Sequence, residues 1–596
     1  DSSYMKNIFY ILLIGLTFYS CKNNEEGNEK NLNKTSRSAK GSKVKFGGIL
    51  HLAESDQYTS LFPAEIIDAT STKIVSQMHS GLVRFDGNDL SVLPAIAKDW
   101  DIDDSQTKYT FLLRNNVYFH DNKCFKDGKG RRVNAEDVKF SFELLSNPEY
   151  ALNFNALFKD KLKGATEFFN GKTTEIEGIK IINDSTITLT LTSPNNSFIY
   201  GLAHVSTSII AKEAFDTYGK DLTNGTGPFI YNEPVEAQKQ LNLTYNPNYY
   251  LLDEEGNQLP YLDTIHFSFI PSKIKELDLF RNGNLSIIHG LPASKIASVI
   301  SDDIANFNQI PPKTILDRKP EMGVNYYEFN LTRPPFNNKK VRQAFCFAIN
   351  KDKISTNILK GQGNVAKHGI TPKIPTFNGY DYNLLEGYTY NPERARKLLS
   401  EAGYPGGKDF PYTRLEVNND GGTHRMVANE IVNQIKNTLG VNIELDQVSF
   451  KDKIEHSKYA KSELFRSGWV ADFPSPESFL MLCYGNNVPK SLDTPSHPNT
   501  MRYQNSTFDS LFHLGTMANT KAESYSYFVQ AEKILLDDAP LMPLWYNEDY
   551  YLRKSEVRNF KYNPMEYYDL AEVYIKVLTK EEVLENRKKA THQEGL

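Results

Sequence analysis

A strand, a helix and a second strand follow one another between residues 415 and 445, and that order constrains the fold more than any other stretch of the chain. Leu415-Glu416-Val417 reads as a short strand, and Val427, Ile431 and Ile435 then recur at helical spacing along one side of the next segment. Gly440 stops that helix, and Val441, Ile443 and Leu445 alternate as a strand. Such a unit lays a helix against a sheet, the building block of an α/β layer. A helix precedes it: Asn391 caps it, Pro392 takes its first position, Ala395, Leu398, Leu399 and Ala402 share one face, and Gly403 ends it.

Nearer the N-terminus the pattern turns to sheet. Residues 108–114 read as a strand, and Asn134 caps a helix whose first turn carries Glu136 and Asp137. Residues 178–191 read as a hairpin, with Ile179, Ile181, Ile187, Leu189 and Leu191 alternating around Asn183-Asp184. Towards the C-terminus, residues 522–538 read as a further helix.

At 596 residues, 40% apolar and 24% charged, the chain is long enough to bury more than one core. A net charge of −5 without a dense basic stripe points away from a nucleic-acid partner. Cys21, Cys124, Cys346 and Cys483 are scattered, with no Cys-x-x-Cys and no histidine at metal-ligand spacing, so neither a metal nor a cofactor is expected; pairing of Cys346 with Cys483 stays open. Gly225-Thr226-Gly227-Pro228 is not followed by Gly-Lys-Ser/Thr, and there is no Gly-x-Ser-x-Gly elbow and no His-Glu-x-x-His. An enzyme is therefore not expected.

Ser467-Gly468-Trp469-Val470-Ala471-Asp472-Phe473-Pro474-Ser475-Pro476 is the stretch most suited to hold a ligand. Read from the residues, it is a loop after a strand at 463–466, because two prolines end regular structure. Trp469 brings a rigid surface with one N–H donor, and Gly468 leaves room for another backbone to approach. Asp472, set among Trp469, Val470, Ala471 and Phe473, calls for a cationic partner, which is either a ligand ammonium or a group of the protein; an ordinary cap of the next turn is the competing reading.

Residues 1–20 read as an upstream remnant, Asp1-Ser2-Ser3-Tyr4, then Met5-Lys6-Asn7 and an apolar run from Ile8 to Tyr19, too short to span a bilayer and similar to a secretory signal. Ser20-Cys21 resembles a lipobox, although Phe18 and Tyr19 depart from its usual residues, so Cys21 is expected to carry a lipid anchor. Residues 22–42, almost without apolar side chains, read as a flexible tether.

Several of these segments, in this order, resemble the extracellular solute-binding proteins of family 5. They are residues 80–86, 93–100, 109–114 and 134–141; Gly225-Thr226-Gly227-Pro228 with residues 245–250; residues 279–292; Asn325-Tyr326-Tyr327-Glu328-Phe329-Asn330 with Pro334-Pro335-Phe336-Asn337; Gly468-Trp469 with Asp472; and residues 539–546. The resemblance implies a two-lobed α/β clamp with mixed sheets flanked by helices and a two-strand hinge. It places the first lobe at 43–320 with an extra subdomain at about 67–210, the second lobe at 321–543, and a return to the first lobe at 544–596.

By the same resemblance, which is strongest to oligopeptide and dipeptide binders, Asp472 pairs with a peptide's α-amino group. Gly468, Trp469 and Ala471 line the site with it. Arg466 takes a carboxylate, against the alternative of a salt bridge within the lobe. Ile67 and Ala69 face the peptide from the first lobe, Asp68 between them raises the possibility of a second cationic contact, and His289 stands at a strand mouth near the cleft or in an ordinary surface loop. Lys458 would serve a longer ligand. The implied protein is a monomeric substrate-binding lipoprotein of an ABC importer, in the periplasm or on the cell surface, that presents short peptides to permease and ATPase subunits. The same scaffold also carries nickel or other metal chelates, haem, opines and oligosaccharides, and these are the alternatives.

Overall fold

Two long antiparallel strands, Thr314–Phe329 and Leu541–Lys554, organise the computed structural model, which describes residue 37 and residues 43–233, 239–419 and 422–593. They lie side by side in a seven-stranded sheet, with Ile287–His289 beyond the second of them and Leu464–Val470, Arg414–Asn418 and Glu444–Val448 in turn beyond the first. A short strand, Gly363–Val365, also pairs with Leu541–Lys554.

Pairing between the two long strands shifts register twice, at Asn325/Tyr326 and, more widely, between Pro320 and Val324. Pro320 faces Glu548 and Val324 faces Tyr546, so Glu321, Met322 and Gly323 bulge opposite the single residue Asn547. On one side of the bulge the strands belong with Ile287–His289, and on the other with Leu464–Val470. The bulge thus divides the molecule into two lobes joined by two strands. Residues 321–329 are buried throughout, as expected of a central strand flanked on both edges.

Each lobe has its own sheet structure. In the first, Ile49–Glu54, Thr264–Phe269, Gln240–Tyr245 and Phe229–Asn232 form a four-stranded sheet in that order, the first pair parallel. A second four-stranded sheet contains Ala97–Ile102, Lys108–Leu113, Thr186–Thr190 and Ile179–Asn183, the last two being the hairpin read from alternation. Asn134 caps helix Ala135–Leu145 in a reciprocal box with Asp137. Gly225 and Gly227 do not cradle phosphate; a Cβ on Gly227 would stand 2.5 Å from Gln77 O, so the glycine permits close packing on the end of helix Ala69–Met78.

In the second lobe, helix Thr423–Leu439 connects strand Arg414–Asn418 to its parallel neighbour Glu444–Val448, the α/β unit anticipated from the sequence. Buried Arg342 fastens this lobe by donating to the carbonyls of Phe336, Asp538 and Ala539. Cys346 and Cys483 are both buried thiols, not a disulfide. Cys21 and its tether lie outside the described residues. Among those described, no helix is long and apolar enough to cross a membrane.

Two local readings are corrected. The strand at 463–466 continues to Val470, so Gly468 and Trp469 sit in a ladder opposite Asn325 and Val324, and only from Ala471 does the chain leave the sheet. Asp68 needs no cation: it caps helix Ala69–Met78, accepting from Ser71 N (2.8 Å), Ser71 Oγ (2.7 Å) and Thr59 Oγ1 (2.5 Å). Replacing Asp68 with Ala is expected to cost about 1–2 kcal/mol, measured as a lower urea midpoint; an unchanged midpoint would contradict the capping role.

The interlobe cleft as candidate functional site

A cavity of about 300 Å³ lies between the lobes, at the lower end of the range for ligand sites. Ile67, Asp68, Ala69, Lys73 and His204 line it from the first lobe, with Met565, Glu566 and Tyr567 from the returning C-terminal segment. Helix Phe450–Lys458, residues 466–472, and His497 line it from the second. Asn325, Tyr326, Glu328 and Asn547 bring in the crossover strands themselves. The structure therefore gathers Gly468, Trp469, Ala471, Asp472, Arg466, Ile67 and Ala69 into one cleft, together with Lys458.

The wall strand leaves a backbone edge open. Arg414–Asn418 pairs with it only at Leu464 and Phe465, so from Arg466 to Val470 the edge on that side carries no ladder among the described residues. The opposite edge is fully engaged by Gly323–Phe329. Trp469 Nε1 is buried without a hydrogen-bond partner among the described residues, an orphaned donor in the cavity lining. Exposed Gly468 makes room for a neighbouring side chain: a Cβ there would stand 2.9 Å from Arg466 Nη2. That guanidinium donates to Asn325 Oδ1 and to Asn418 Oδ1 (3.4 Å).

Asp472 stands where the strand ends. Its backbone N–H donates to Ser478 Oγ (2.9 Å), and its carboxylate lies 3.4 Å from His204 Nε2 across the cleft, with its side chain a quarter exposed. Beside it, burial and the Lys458 charge push His497 down to about 4 despite Asp472, so His497 is neutral at pH 7. Further contacts bridge the lobes around Asp472: Phe473 stacks on Tyr200 at 6.3 Å, Glu477 pairs with Lys161 at 3.1 Å, and Asn155 Nδ2 donates to His497 O at 3.2 Å. The lobes are thus held closed over the cavity.

His289 is placed elsewhere. It does not line the cavity but joins a buried charge network at the first-lobe side of the hinge, its Nδ1 3.2 Å from Asp549 and its Nε2 3.6 Å from Glu54. Lys73 pairs with Glu54 (3.2 Å) and Glu566 (2.8 Å), and Lys273 pairs with Glu276 (2.9 Å) while donating to His289 O (2.9 Å). Burial alone would raise the Glu54 carboxyl, but Lys73 and His289 hold it at about 2. Burial and Lys73 press His289 down, and Asp549 and Glu54 more than reverse this, to about 9. Glu321, in the hinge bulge, is raised by burial and by the neighbouring Glu566 carboxylate, whereas for Glu566 burial is outweighed by Lys73 and His289, which hold it down at about 2.

His204, His497 and the residues at 565–567 escaped sequence reasoning. Isolated histidines and a tyrosine-rich tail carry no periodic signal, and only the return of the chain brings 565–567 to the cleft.

A cleft between two lobes, crossed twice by the chain and closed over an open strand edge, defines a solute-binding clamp. The sequence profile of the bacterial extracellular solute-binding proteins, family 5 (middle region), matches residues 91–491, and the chain belongs to that family. It is 28% identical to Heme-binding protein A of Haemophilus influenzae (85% of this chain, 88% of the relative). It is 26% identical to the Dipeptide-binding protein of Escherichia coli (82% and 87%). Among solved structures, a periplasmic oligopeptide-binding protein of Borrelia burgdorferi superposes with a TM-score of 0.77 at 26% identity (89% and 100%). DppA of Helicobacter pylori in complex with the peptide STSA gives 0.78 at 24% identity (89% and 99%).

The network predicts a pH dependence. His289 holds its proton more tightly folded than unfolded, so its stabilising contribution is complete below about pH 6.5 and is lost as the pH rises through about 9. A contribution on the order of 1–3 kcal/mol is expected. The melting temperature should fall more steeply between pH 7 and 10 for the native protein than for His289→Gln, and equal slopes would contradict the assignment.

Proposed function

We propose that this protein is the peptide-capturing component of an ABC importer. It holds short peptides in extended form between its lobes and presents them to a permease pair with its ATPases. It is a monomer tethered through a lipid on Cys21, in the periplasm or on the cell surface. Binding involves no catalytic step: ligand contacts select the closed state of the clamp.

One observation carries the reading. The open backbone edge of residues 466–470 runs inside the cavity and ends at a part-exposed carboxylate, Asp472. A peptide laid along that edge satisfies its own N–H and C=O groups whatever its side chains are, and its ammonium falls to Asp472 beside His204. Arg466, which also donates to Asn325 and Asn418, offers its guanidinium to the peptide carboxylate, and the orphaned Trp469 N–H offers a donor to a ligand carbonyl. The peptide-binding relatives and the peptide-bound structural neighbour support the same reading.

Similarity to a haem-binding relative supports a second reading on the same scaffold. A Soret band that saturates at one haem per protein, with no peptide binding, would favour it.

Titration calorimetry separates the roles. N-acetylation of trialanine is expected to weaken binding by roughly 30-fold or more, as loss of a buried charge contact of about 2–5 kcal/mol requires. Asp472→Asn should do the same to the free peptide, and equal binding of free and acetylated peptide would refute the ammonium site. Amidation of the C-terminus should weaken binding to the native protein but not to Arg466→Met; an equal loss in both would remove Arg466 from the carboxylate site.

A further inference from the structure

Lys453 sits in the cleft wall without an ion pair among the described residues. Three lysines line the cavity, and two of them are matched: Lys73 by Glu54 and Glu566, Lys458 by Glu455 at 2.9 Å. Lys453 is only 4% exposed, and its ammonium donates to a single neutral group, Ser467 Oγ, at 2.9 Å. A buried ammonium with one neutral partner is costly, and two of its three donors remain to be used.

The charges around it do not resolve this. Glu328 accepts from Thr500 Oγ1 (2.6 Å), and Glu416 accepts from His456 Nδ1 (2.8 Å) and Ser462 Oγ (2.8 Å). Both carboxylates act on Lys453 from a distance, and Arg466 opposes them. Burial first, with Arg466 adding to it, pushes the Lys453 ammonium down to about 8.

Position gives this group a function. Ser467 and Trp469 are two apart in the wall strand and share a face, whereas Arg466 and Gly468 belong to the other. A ligand strand alongside sends its side chains alternately to the two faces. Resting on the proposed peptide reading, we propose that Lys453, with Ser467, forms an anion-accepting subsite that selects short peptides carrying an acidic side chain, separate from the terminal carboxylate assigned to Arg466.

Calorimetry with trialanine and its variants bearing Glu or Gln at each position tests this. At one position Glu is expected to bind about tenfold or more tightly than Gln, and Lys453→Met should abolish that ratio. Near pH 8.5, heats in buffers of different ionisation enthalpy should show proton uptake with the Glu peptide and not with its Gln partner. A Glu/Gln ratio near one at every position, or one that survives in Lys453→Met, overturns the subsite. So does a Lys453→Met that loses instead the discrimination between free and amidated C-termini, which would make the terminal carboxylate the occupant. If trialanine and all variants fail to bind, the peptide reading falls and the subsite with it, a result distinct from binding without preference.

Discussion

Everything in this molecule depends on the antiparallel pairing of two strands that each belong to both lobes. A single pair of crossover strands gives the lobes a common sheet and yet a three-residue interruption of it at the hinge. Glu321, Met322 and Gly323 occupy the interruption, and together they reach both the returning C-terminal segment and the ligand wall. Glu321 lies against the Glu566 carboxylate, Met322 binds Pro564 and Ala471 through its backbone, and Gly323 pairs with Val470. The bulge therefore connects hinge, returning C-terminal segment and ligand wall within three residues, where a change in strand geometry would be felt by all three.

The charges follow the same division of labour. At the hinge, Glu54, Lys73, His289, Asp549 and Glu566 compensate one another in a buried network, and buried ions persist only when so matched. In the cleft the matching is incomplete among the described residues: Asp472 faces the imidazoles of His204 and His497, Lys453 donates to a hydroxyl, and the Trp469 N–H has no partner. Lys73 and Glu566 belong to both groups, since they line the cavity as well as the network. Groups satisfied at the hinge and unsatisfied in the cleft are what a clamp that closes on a polar ligand requires.

Much of this was legible in the sequence because it is local and periodic. The hairpin at 178–191, the capping box at Asn134 and the 415–445 unit depend on neighbours in the chain, and they stand where alternation and capping residues put them. The expected loop at Gly468-Trp469 illustrates the limit. Prolines at 474 and 476 mark the end of regular structure but do not say how far before them the strand runs, and pairing with Asn325 and Val324 carries it through the glycine. Asp68 was ambiguous because an N-cap and a ligand carboxylate look alike until Thr59 and Ser71 are placed around it. Lys453 had no signal at all: in Phe450-Lys451-Asp452-Lys453-Ile454 it reads as one more solvated helix residue, and only the strand packed on that helix buries it.

The most direct test of the central claim, that the cleft reads peptide backbone, is native mass spectrometry of the purified protein followed by denaturation and identification of the released small molecules. The account predicts a ladder of short peptides of similar length and mixed sequence, bound one per protein. Release of a single non-peptide species, such as haem or a metal chelate, would contradict it while leaving the clamp fold intact.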